Sequence, residues 1–448
     1  MTRAARLSPT DPSTRPCPPP RPRRLRRGAA ATALTAALLA VAGCSGDGDG
    51  GDGGSDEPLT VVWWGSPERT ELTQEALSVF EEQSGAAVEG QSVDFGGYFD
   101  RLATQFAGGD APDVFTLGGA YPAEYAQRGA LLDLTTVDEH LDLDALDATA
   151  LENGQVDGAQ YGLSTGSNAL AMIVNPDLVD EAGVERPDPQ TWTWDDFAAF
   201  TEEISAHTDD DTYGTATTLT HDSIEAFARQ QGEKLYTEDG EIGVSEESLA
   251  EFFGRAQELT EAGAAPGAAM ITELEDASVE QTLMGTGRAA TMLTWSNSLS
   301  TLSTTSGSDL ELWPLPGESD TAGVWQQSSQ FFSISADTEQ PEQAAELLDF
   351  LVNSQEAVDI LGLDRGVPDN PERRAGLEGQ LDADSQEEVE YIDQVASRDT
   401  APRPIGPTGS TDVDSVTSRV TAELLHGRID PSEAAATWLE EARAAVEQ

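Results

Sequence analysis

The chain has 448 residues, of which 38% are apolar and 24% are charged, and its formal net charge is −58. A chain of this length exceeds what one hydrophobic core usually organises, so two domains are expected. Such an acidic chain would repel the phosphates of nucleic acids and of anionic membrane surfaces, which excludes both as general binding partners.

The first 43 residues are typical of a secretory signal peptide. They carry eight arginines against a single acid, Asp11, and a cluster of those arginines precedes the apolar run GAAATALTAALLAVAG. The run is too short and too rich in alanine for a membrane-spanning helix, which needs roughly 20 apolar residues. We therefore predict that the chain is exported and that residues 1–43 are removed.

The segment that follows predicts a lipid anchor and a tether. The sequence VAGC, which ends at Cys44, resembles a bacterial lipobox, and a cysteine that stands there by chance is the alternative. Residues 44–58 are mainly glycine and aspartate, too polar to fold, and should form a flexible tether. Their acidic spacing departs from that of a calcium loop, so no metal site is predicted. Because Cys17 lies in the removed segment, no disulfide is expected in the mature chain.

After the tether, apolar runs alternate with amphipathic stretches, which predicts an α/β fold. Strands are predicted at residues 59–64, 87–93 and 112–117, and helices at residues 68–84 and 99–106. This alternation favours parallel strands with helices on both faces of the sheet and right-handed crossovers. In such sheets a ligand binds beyond the carboxyl ends of the strands.

Two adjacent tryptophans end the first predicted strand. Side chains alternate between the faces of a strand, so Trp63 and Trp64 should point to opposite sides. We expect one indole to pack in the core and the other, Trp64, to lean into a ligand crevice, because it borders the turn at residues 65–68. Burial of both indoles in the core is the alternative.

The remainder of the chain continues the alternation. Trp192 and Trp194 flank a predicted helix N-cap, Thr193, and should pack against that helix instead of a ligand. Further strands are predicted at residues 156–164, 169–175, 288–295, 310–316 and 330–335. Further helices are predicted at residues 194–205, 222–231, 246–262, 276–284, 341–351, 354–361 and 414–425, and a last one begins at Asp430.

Six motifs stand in order along the chain. They are LTVVWWG from Leu59, GGDAPDVFTLGGAYPAEYAQRGALLDLT from Gly108, GQVDGAQYGLSTGSNALAMIVNPDLVDEAGV from Gly154, TWTWDDF from Thr191, GTGRAATMLTW from Gly285 and PEQAAELLDFLVNSQEAVDILG from Pro341. In this order they resemble the extracellular solute-binding proteins of ABC importers, specifically the sugar-binding family related to maltose-binding protein. The resemblance covers essentially all of residues 59–448.

The resemblance implies a two-lobed, periplasmic-binding-protein-like α/β fold. Each lobe would be a mainly parallel sheet flanked by helices, and a three-segment hinge would let the lobes close on a ligand. The chain would cross between the lobes near residues 164–166, 329–331 and 365–368. One lobe would hold residues 59–165 and 330–366, and the other residues 166–329 and 367–448.

A sugar site needs aromatic platforms for apolar ring faces and planar polar groups for hydroxyls, in a cleft that excludes water. Candidates are taken from positions that match the family's binding loops and from aromatic or polar residues at strand ends and crossings. The candidate ligand contacts are Trp64, Ser66, Glu68, Tyr98, Tyr121, Asn168, Asp222, Trp295, Trp325, Gln326 and Arg365.

Each candidate has a structural alternative. Asn168 could cap a turn, and Asp222, with His221, could simply begin a helix. Arg365 could pair with a neighbouring acid instead of an acidic sugar. Two departures from the family pattern, Val174 where an aromatic is usual and Ala120 where the maltose-binding relative has an acid, indicate that maltose specificity does not carry over.

The resulting prediction is a monomeric, lipid-tethered receptor on the outer face of the cytoplasmic membrane. It would bind a sugar or an oligosaccharide without a cofactor and deliver it to the permease subunits of an ABC transporter. A same-fold receptor for a non-sugar solute is one alternative. An exported glycoside hydrolase is another, and it would need two carboxylates at a fixed separation. The sequence has no nucleophile elbow, histidine-rich metal cluster or phosphate loop, which favours binding over catalysis.

Overall fold

The computed structural model describes residues 57–446, apart from residues 120, 210, 217–218, 238, 275–277, 399, 402, 404–405 and 408. The predicted signal peptide, the predicted lipidation site Cys44 and most of the predicted tether lie outside the described residues. The described residues belong to one compact unit. Within them, no helix combines the length and the apolar character that crossing a membrane requires.

Strands and helices alternate through the first part of the chain, and helices dominate the last part. The strands are β1 (Leu59–Trp64), β2 (Val88–Val93), β3 (Val114–Leu117), β4 (Gln155–Val156), β5 (Ala159–Gln160), β6 (Leu163–Ser164), β7 (Ser167–Asn168), β8 (Leu170–Val174), β9 (Tyr213–Ala216), β10 (Ala289–Trp295), β11 (Glu311–Trp313), β12 (Gln327–Ser328) and β13 (Phe331–Ile334).

The helices range from short turns to helices of 18 residues. They are α1 (Pro67–Ser84), α2 (Phe95–Gly108), α3 (Tyr121–Gln127), α4 (Ala148–Glu152), α5 (Pro176–Ala182), α6 (Trp194–His207), α7 (His221–Gln230), α8 (Glu246–Glu261), α9 (Ala268–Leu274), α10 (Leu299–Ser306), α11 (Pro341–Asn353), α12 (Gln355–Leu361), α13 (Pro371–Gly376), α14 (Ala383–Ala396), α15 (Ser410–Leu425) and α16 (Pro431–Val446). Short 3₁₀ helices lie at Leu134–Val137, Leu143–Ala145, Val279–Gln281 and Ser296–Ser298.

Local chemistry explains where the main helices begin. The hydroxyl of Thr193 accepts the backbone N–H of Asp196, and the Asp196 carboxylate accepts that of Thr193, which is a capping box. Thr220 and Ser223 form the same arrangement at the start of α7. The predicted N-cap at Thr193 is therefore confirmed.

The two sheets form the centres of the two lobes. The first has the strand order β2-β1-β3-β13-β6, and the second has the order β11-β8-β10-β9. In the first, β1, β2, β3 and β6 share one direction and β13 runs the other way. In the second, β9, β10 and β11 share one direction and β8 is reversed. The α/β prediction is confirmed. Most strands of each sheet share one direction, but the reversed strand makes two of the four neighbouring pairs antiparallel in the first sheet and two of the three in the second, so the second sheet is not mainly parallel as predicted.

The reversed strands have a common cause. β8 follows directly on the first segment that passes from one sheet to the other, and β13 follows the second such segment. A strand that directly follows a crossing segment runs away from that segment. The strands of the β-α-β units, in contrast, run towards the crossing segments. The crossing segments therefore meet the carboxyl ends of the other strands.

Trp63 and Trp64 lie on opposite faces of the first sheet, as the sequence predicts. Trp63 packs in the core between the sheet and helices α1 and α11, with Leu59 and Val61. Trp64 packs with Val62 in the core on the other face. The two indoles thus pack on opposite faces of the same strand.

The three crossing segments lie side by side. We name residues 164–168, 327–331 and 365–369 the crossing region. Ser167 and Val367 exchange two backbone hydrogen bonds of 2.8 Å, and the N–H of Ser329 donates to the carbonyl of Gly166 at 2.9 Å. β7 also pairs with β12. The crossings predicted near residues 164–166, 329–331 and 365–368 coincide with this region.

Several predicted elements differ from the structure. Residues 276–284, predicted as a helix, contain the 3₁₀ turn Val279–Gln281 among the residues that are described. Residues 156–164 contain a short hairpin, β4–β5, before β6. Helix α10 was not predicted, because its sequence LSTLSTTS is dominated by Ser and Thr, which favour helices weakly. Helix α14 was not predicted either.

The packing of the crossing region gives a first testable prediction. Gly166 has φ of +153°, and a Cβ added there would lie 2.8 Å from the carbonyl oxygens of Arg365 and Gly366. We expect Gly166→Ala to destabilise the protein by about 1–3 kcal/mol in urea unfolding. Gly96→Ala, in helix α2 with nothing within 4 Å of its added Cβ, is the matched control and should be neutral or slightly stabilising. Equal unfolding midpoints for the two variants would contradict this account.

Candidate functional site

A cavity of about 420 Å³ lies between the two sheets. Its walls come from the carboxyl ends of β1, β3 and β10, from helices α2, α7 and α15, and from the crossing region. In α/β folds this is where ligands bind, because loops from several strands converge there. The cavity is therefore the candidate site.

One wall of the cavity is aromatic. We name Trp64, Phe95, Phe99 and Tyr121 the aromatic wall. The rings of Phe99 and Tyr121 stack with centroids 3.7 Å apart, and Trp64 lies 5.5 Å from Phe99 and 5.8 Å from Phe95. Phe95 is 63% exposed, which is unusual for a large apolar side chain. The wall offers flat apolar surface to whatever occupies the cavity.

The opposite side carries a group of four charged residues. We name His221, Asp222, Arg403 and Asp414 the charge quartet. Nε2 of His221 lies 3.0 Å from Oδ1 of Asp222, and its Nδ1 contacts Asp414. Nη1 of Arg403 donates to Asp222, and its guanidinium lies 5.5 Å from the ring of Trp325. Each cation of the quartet thus contacts at least one carboxylate.

The pairing within the quartet sets its protonation. Burial opposes the charged form of His221, but the carboxylates of Asp222 and Asp414 outweigh it and raise its pKa from 6.5 to about 9. Burial likewise acts to raise the pKa of Asp222, but His221 and Arg403 hold that pKa well below its usual range. At neutral pH His221, Asp222 and Arg403 are therefore charged.

The floor of the cavity is polar and incompletely bonded. Four buried side-chain oxygens of its lining have no protein partner: the Tyr236 and Ser410 hydroxyls, the Ser328 hydroxyl and Oε1 of Gln330. A buried polar atom without a partner costs about 1–3 kcal/mol, so such atoms are rare in folded proteins. The four residues are gathered around one cavity, although the oxygens themselves have almost no accessible surface.

Four of the residues predicted from the sequence line the cavity. They are Trp64, Tyr121, Asp222 and Trp295. Trp295 ends β10 and meets Trp325 edge to face, with centroids 6.2 Å apart. Trp325 itself is 1% exposed and lies between the guanidinium groups of Arg229 and Arg403. The prediction that Trp325 faces the ligand is wrong in this structure, because Trp325 supports Trp295 from behind.

Three further predicted contacts belong to the first lobe and do not line the cavity. Tyr98 is 1% exposed, and its hydroxyl donates to the carbonyl of Thr116 at 2.9 Å, so it fixes helix α2 to the sheet. Ser66 is the exposed N-cap of α1 and accepts the N–H of Arg69 at 3.1 Å. Glu68 is exposed in the first turn of α1. These residues serve local structure.

The other predicted contacts are buried in or next to the crossing region. Nδ2 of Asn168 donates to Asn297 at 3.2 Å, and Nε2 of Gln326 donates to the Ser167 hydroxyl at 2.8 Å. Both amides bond to neighbouring segments instead of the cavity, which corrects the prediction of ligand contact.

Arg365 also lies outside the cavity lining, as its structural alternative anticipated. It is 3% exposed, and its Nη2 donates to the Thr73 hydroxyl at 2.7 Å. Its Nη1 lies 3.4 Å from Asp364. Burial lowers the pKa of Arg365 to about 10, and Asp364 opposes that change. Arg365 therefore connects the crossing region to helix α1.

Other cavity residues were missed by sequence reasoning. Phe95 and Phe99 lie in the first turns of helix α2, which was predicted to begin only at residue 99. Tyr236 stands in a turn without a sequence pattern. Arg403 and Thr411 belong to the Pro- and Gly-rich segment before and at the start of α15. The sequence signal that could have identified Arg403 is an arginine that stands alone in a Pro- and Gly-rich segment.

No cluster of three or more His, Cys, Asp or Glu side chains in the described part of the chain is arranged to hold a metal ion. The groups that the cavity does present are aromatic faces, hydroxyls, amides and paired charges. Such groups bind and orient a ligand through ring contacts and hydrogen bonds.

The family model of the bacterial extracellular solute-binding proteins matches residues 64–358. Curated relatives that match include putative binding proteins from Brucella abortus and Brucella suis. They align over 134 residues at 26% identity, which is 30% of this chain and 32% of their own length. The chain thus matches about a third of the length of these relatives.

Solved structures match over most of the chain. A periplasmic solute-binding protein from Pectobacterium atrosepticum has 24% identity and a TM-score of 0.78, with 87% of this chain and 98% of that one covered. An oligogalacturonide-binding protein from Yersinia enterocolitica, in complex with saturated digalacturonic acid, has 23% identity and a TM-score of 0.76 over 87% and 98%. An ABC substrate-binding protein from Listeria monocytogenes, in complex with cycloalternan, has 25% identity and a TM-score of 0.75 over 86% and 98%.

The raised pKa of His221 gives a second prediction. A proton bound more tightly in the folded state stabilises it fully below pH 6.5, and this contribution is lost as the pH rises through about 9. We therefore expect the stability difference between the wild type and His221→Gln to be largest below about pH 6.5 and to shrink towards about pH 10. Urea unfolding across that range measures it. His426→Gln, at an exposed histidine, is the control, and a His221→Gln difference that does not vary with pH would contradict the proposed pairing.

Proposed function

The chain belongs to the bacterial extracellular solute-binding proteins, and we propose that it captures a sugar or an oligosaccharide in the cavity between its lobes for an ABC importer. The family binds solutes outside the cell, and the sugar-binding branch related to maltose-binding protein has the same two-lobed fold. The identity of the solute and its delivery to permease subunits are the parts that we propose.

One observation carries the proposal. The aromatic wall shares one cavity with side-chain amides and hydroxyls, which include those of Gln327, Ser329 and Thr411. A sugar presents apolar C–H faces and hydroxyls that donate and accept hydrogen bonds at once. A ligand of this chemistry would pack on the wall and bond to these amides and hydroxyls.

The size of the cavity and the similar structures support the same proposal. A volume of about 420 Å³ lies within the range of small-molecule sites, which is about 300–1,000 Å³. The similar proteins from Yersinia enterocolitica and Listeria monocytogenes were solved with saturated digalacturonic acid and with cycloalternan. Because these proteins are only 23% and 25% identical to this chain, their ligands support a sugar as the class of solute and do not indicate a particular sugar.

Closure of the lobes would couple binding to transport. We take residues 59–165 with 330–366, and 166–329 with 367–448, as the two bodies that move about the crossing region. The hydroxyl of Thr411, on α15, donates to Oε1 of Glu124, on α3, at 3.3 Å, so the lobes touch across the mouth of the cavity. A ligand would favour the closed arrangement only to the extent that it binds that arrangement more tightly.

The proposed location follows from the N-terminal sequence. Residues 1–43 would direct export, and Cys44 would carry the lipid that holds the mature protein at the outer face of the cytoplasmic membrane. Residues 44–58 would let the folded part of the chain reach the permease subunits as a monomer. The proposed activity is binding and release without chemical conversion of the sugar.

A thermal-shift screen with monosaccharides and disaccharides tests the function. A sugar present at about 100 times its dissociation constant should stabilise the protein by about 2.7 kcal/mol. A polyamine or inorganic phosphate that stabilises the protein while every sugar fails would favour a non-sugar receptor. Formation of a product from any sugar would favour a hydrolase.

A third prediction uses the exposed ring of the aromatic wall. In the described part of the chain, Phe95 and Val279 are the exposed large hydrophobic side chains, at 63% and 39%. Phe95→Ala should leave the unfolding temperature of the ligand-free protein nearly unchanged and weaken sugar binding by about three- to tenfold, because a stacking surface is lost. Val279→Ala, remote from the cavity lining, should alter neither quantity. Equal calorimetric affinities for both variants and the wild type would argue against the aromatic wall as the sugar platform.

A further inference from the structure

Trp325 is buried behind the cavity and contacts its lining at two points. Its ring meets that of Trp295 edge to face, and its Nε1 donates to Oε1 of Gln327 at 3.1 Å. Trp295 and Gln327 both line the cavity, whereas Trp325 is 1% exposed. One buried side chain therefore contacts both an aromatic ring and an amide of the candidate site.

The indole N–H of Trp325 determines which way the Gln327 amide is turned. An indole N–H can only donate, so the atom that it meets must be the amide oxygen. The oxygen and the nitrogen of a glutamine amide have nearly the same shape, and the hydrogen-bond partner decides between the two orientations. The nitrogen then occupies the other end of the amide, where it donates to no group in the described part of the chain. Gln327 therefore offers two N–H donors to a ligand in the cavity.

Two arginines hold the Trp325 ring in its place. The guanidinium of Arg229 lies 4.8 Å from the ring centroid, and that of Arg403 lies 5.5 Å from it. Each guanidinium is bound by a carboxylate, Glu225 for the first and Asp222 for the second. A cation near an aromatic face is attracted by the ring quadrupole, and the carboxylates keep the cations from turning away. The direction of the indole N–H is therefore fixed before a ligand binds.

We propose that Trp325 is a positioning residue of the sugar site, which directs the two N–H donors of Gln327 to an oxygen of the bound sugar beside the ring of Trp295. This role rests on the proposed sugar-binding function and adds a requirement on the solute. The solute must present an accepting oxygen at this point, as a hydroxyl, a ring oxygen or a glycosidic oxygen does. A purely structural Trp325 would affect stability and not this hydrogen bond.

Calorimetric titration of a double-mutant cycle tests the role of Trp325. The titrant is the sugar that most stabilises the wild type among glucose, galactose, mannose, maltose, cellobiose and lactose. Trp325→Phe removes the N–H and keeps a ring against Trp295, and Gln327→Met removes the amide at similar length. Each variant should weaken binding by about three- to tenfold, and the double variant should bind about as weakly as Gln327→Met, because the N–H acts through the amide. Losses that multiply in the double variant would overturn the proposal.

A second variant tests the orientation of the amide without changing the buried ring. Gln327→Glu keeps an oxygen for the N–H of Trp325 and removes both amide N–H donors. It should weaken binding of the same sugar by about tenfold and leave the unfolding temperature of the ligand-free protein nearly unchanged. Wild-type affinity in Gln327→Glu would overturn the proposal, even if Trp325→Phe does not fold.

Trp192 supplies a matched control away from the cavity. It is 2% exposed, its Nε1 donates to the carbonyl of Pro314 at 3.0 Å, and its ring meets that of Trp313 edge to face. Trp192 does not line the cavity. Trp192→Phe should lower the unfolding temperature about as much as Trp325→Phe and leave the affinity for the sugar unchanged. An equal loss of affinity in both variants would overturn the proposal, because the loss would then come from a general loosening of the lobe.

The outcomes separate the two proposals. Sugar binding by the wild type that is unchanged in Trp325→Phe overturns the positioning role and leaves the sugar-binding function standing. Failure of all six sugars to bind the wild type overturns the sugar-binding function and the positioning role together.

Discussion

The fold depends on a close backbone contact between the segments that join the two sheets. Gly166 packs so tightly on Arg365 and Gly366 that no side chain fits between them, and Ser167 and Val367 hold the same place by paired hydrogen bonds. Buried backbone groups must be bonded, so these segments stay together when side chains around them change. The carboxyl ends of both sheets therefore face one another across the crossing region, and the cavity is the space that remains between them.

The two halves of the cavity have different chemistry for the same geometrical reason. The first sheet contributes the end of β1 and helix α2, which supply aromatic rings, and the second contributes the starts of α7 and α15, which supply charges. Asp222, in the first turn of α7, lies where the helix dipole favours a negative charge. The pairing of His221 and Arg403 with carboxylates then keeps that charge from dominating the cavity. What remains accessible is a flat apolar wall and a polar floor.

Local patterns in the sequence predicted the fold well, because strand alternation and helix caps are decided within a few residues. The opposite placement of Trp63 and Trp64 and the cap at Thr193 are examples, and the motif resemblance supplied the two-lobed arrangement. The site was predicted in part. The polar groups of Ser66 and Asn168 could bind either a ligand or the surrounding protein. Only the folded structure shows that they bond to the protein. Arg403 was missed because its partner Asp222 is 181 positions away in the chain. Burial of Arg365 and Trp325 likewise depends on contacts between distant segments, which no local pattern encodes.

The position of β13 bears on how the chain is assembled. It lies between β3 and β6 in the first sheet. In the sequence, however, all strands of the second sheet come between β6 and β13. Synthesis proceeds from the N-terminus, so this interior strand of the first sheet is available only after Ile334 has left the ribosome. Pairing between segments so far apart in sequence is also slow, since it must overcome the entropy of closing a long loop. The nascent polypeptide therefore cannot complete its first lobe until the whole of the second sheet has been synthesised.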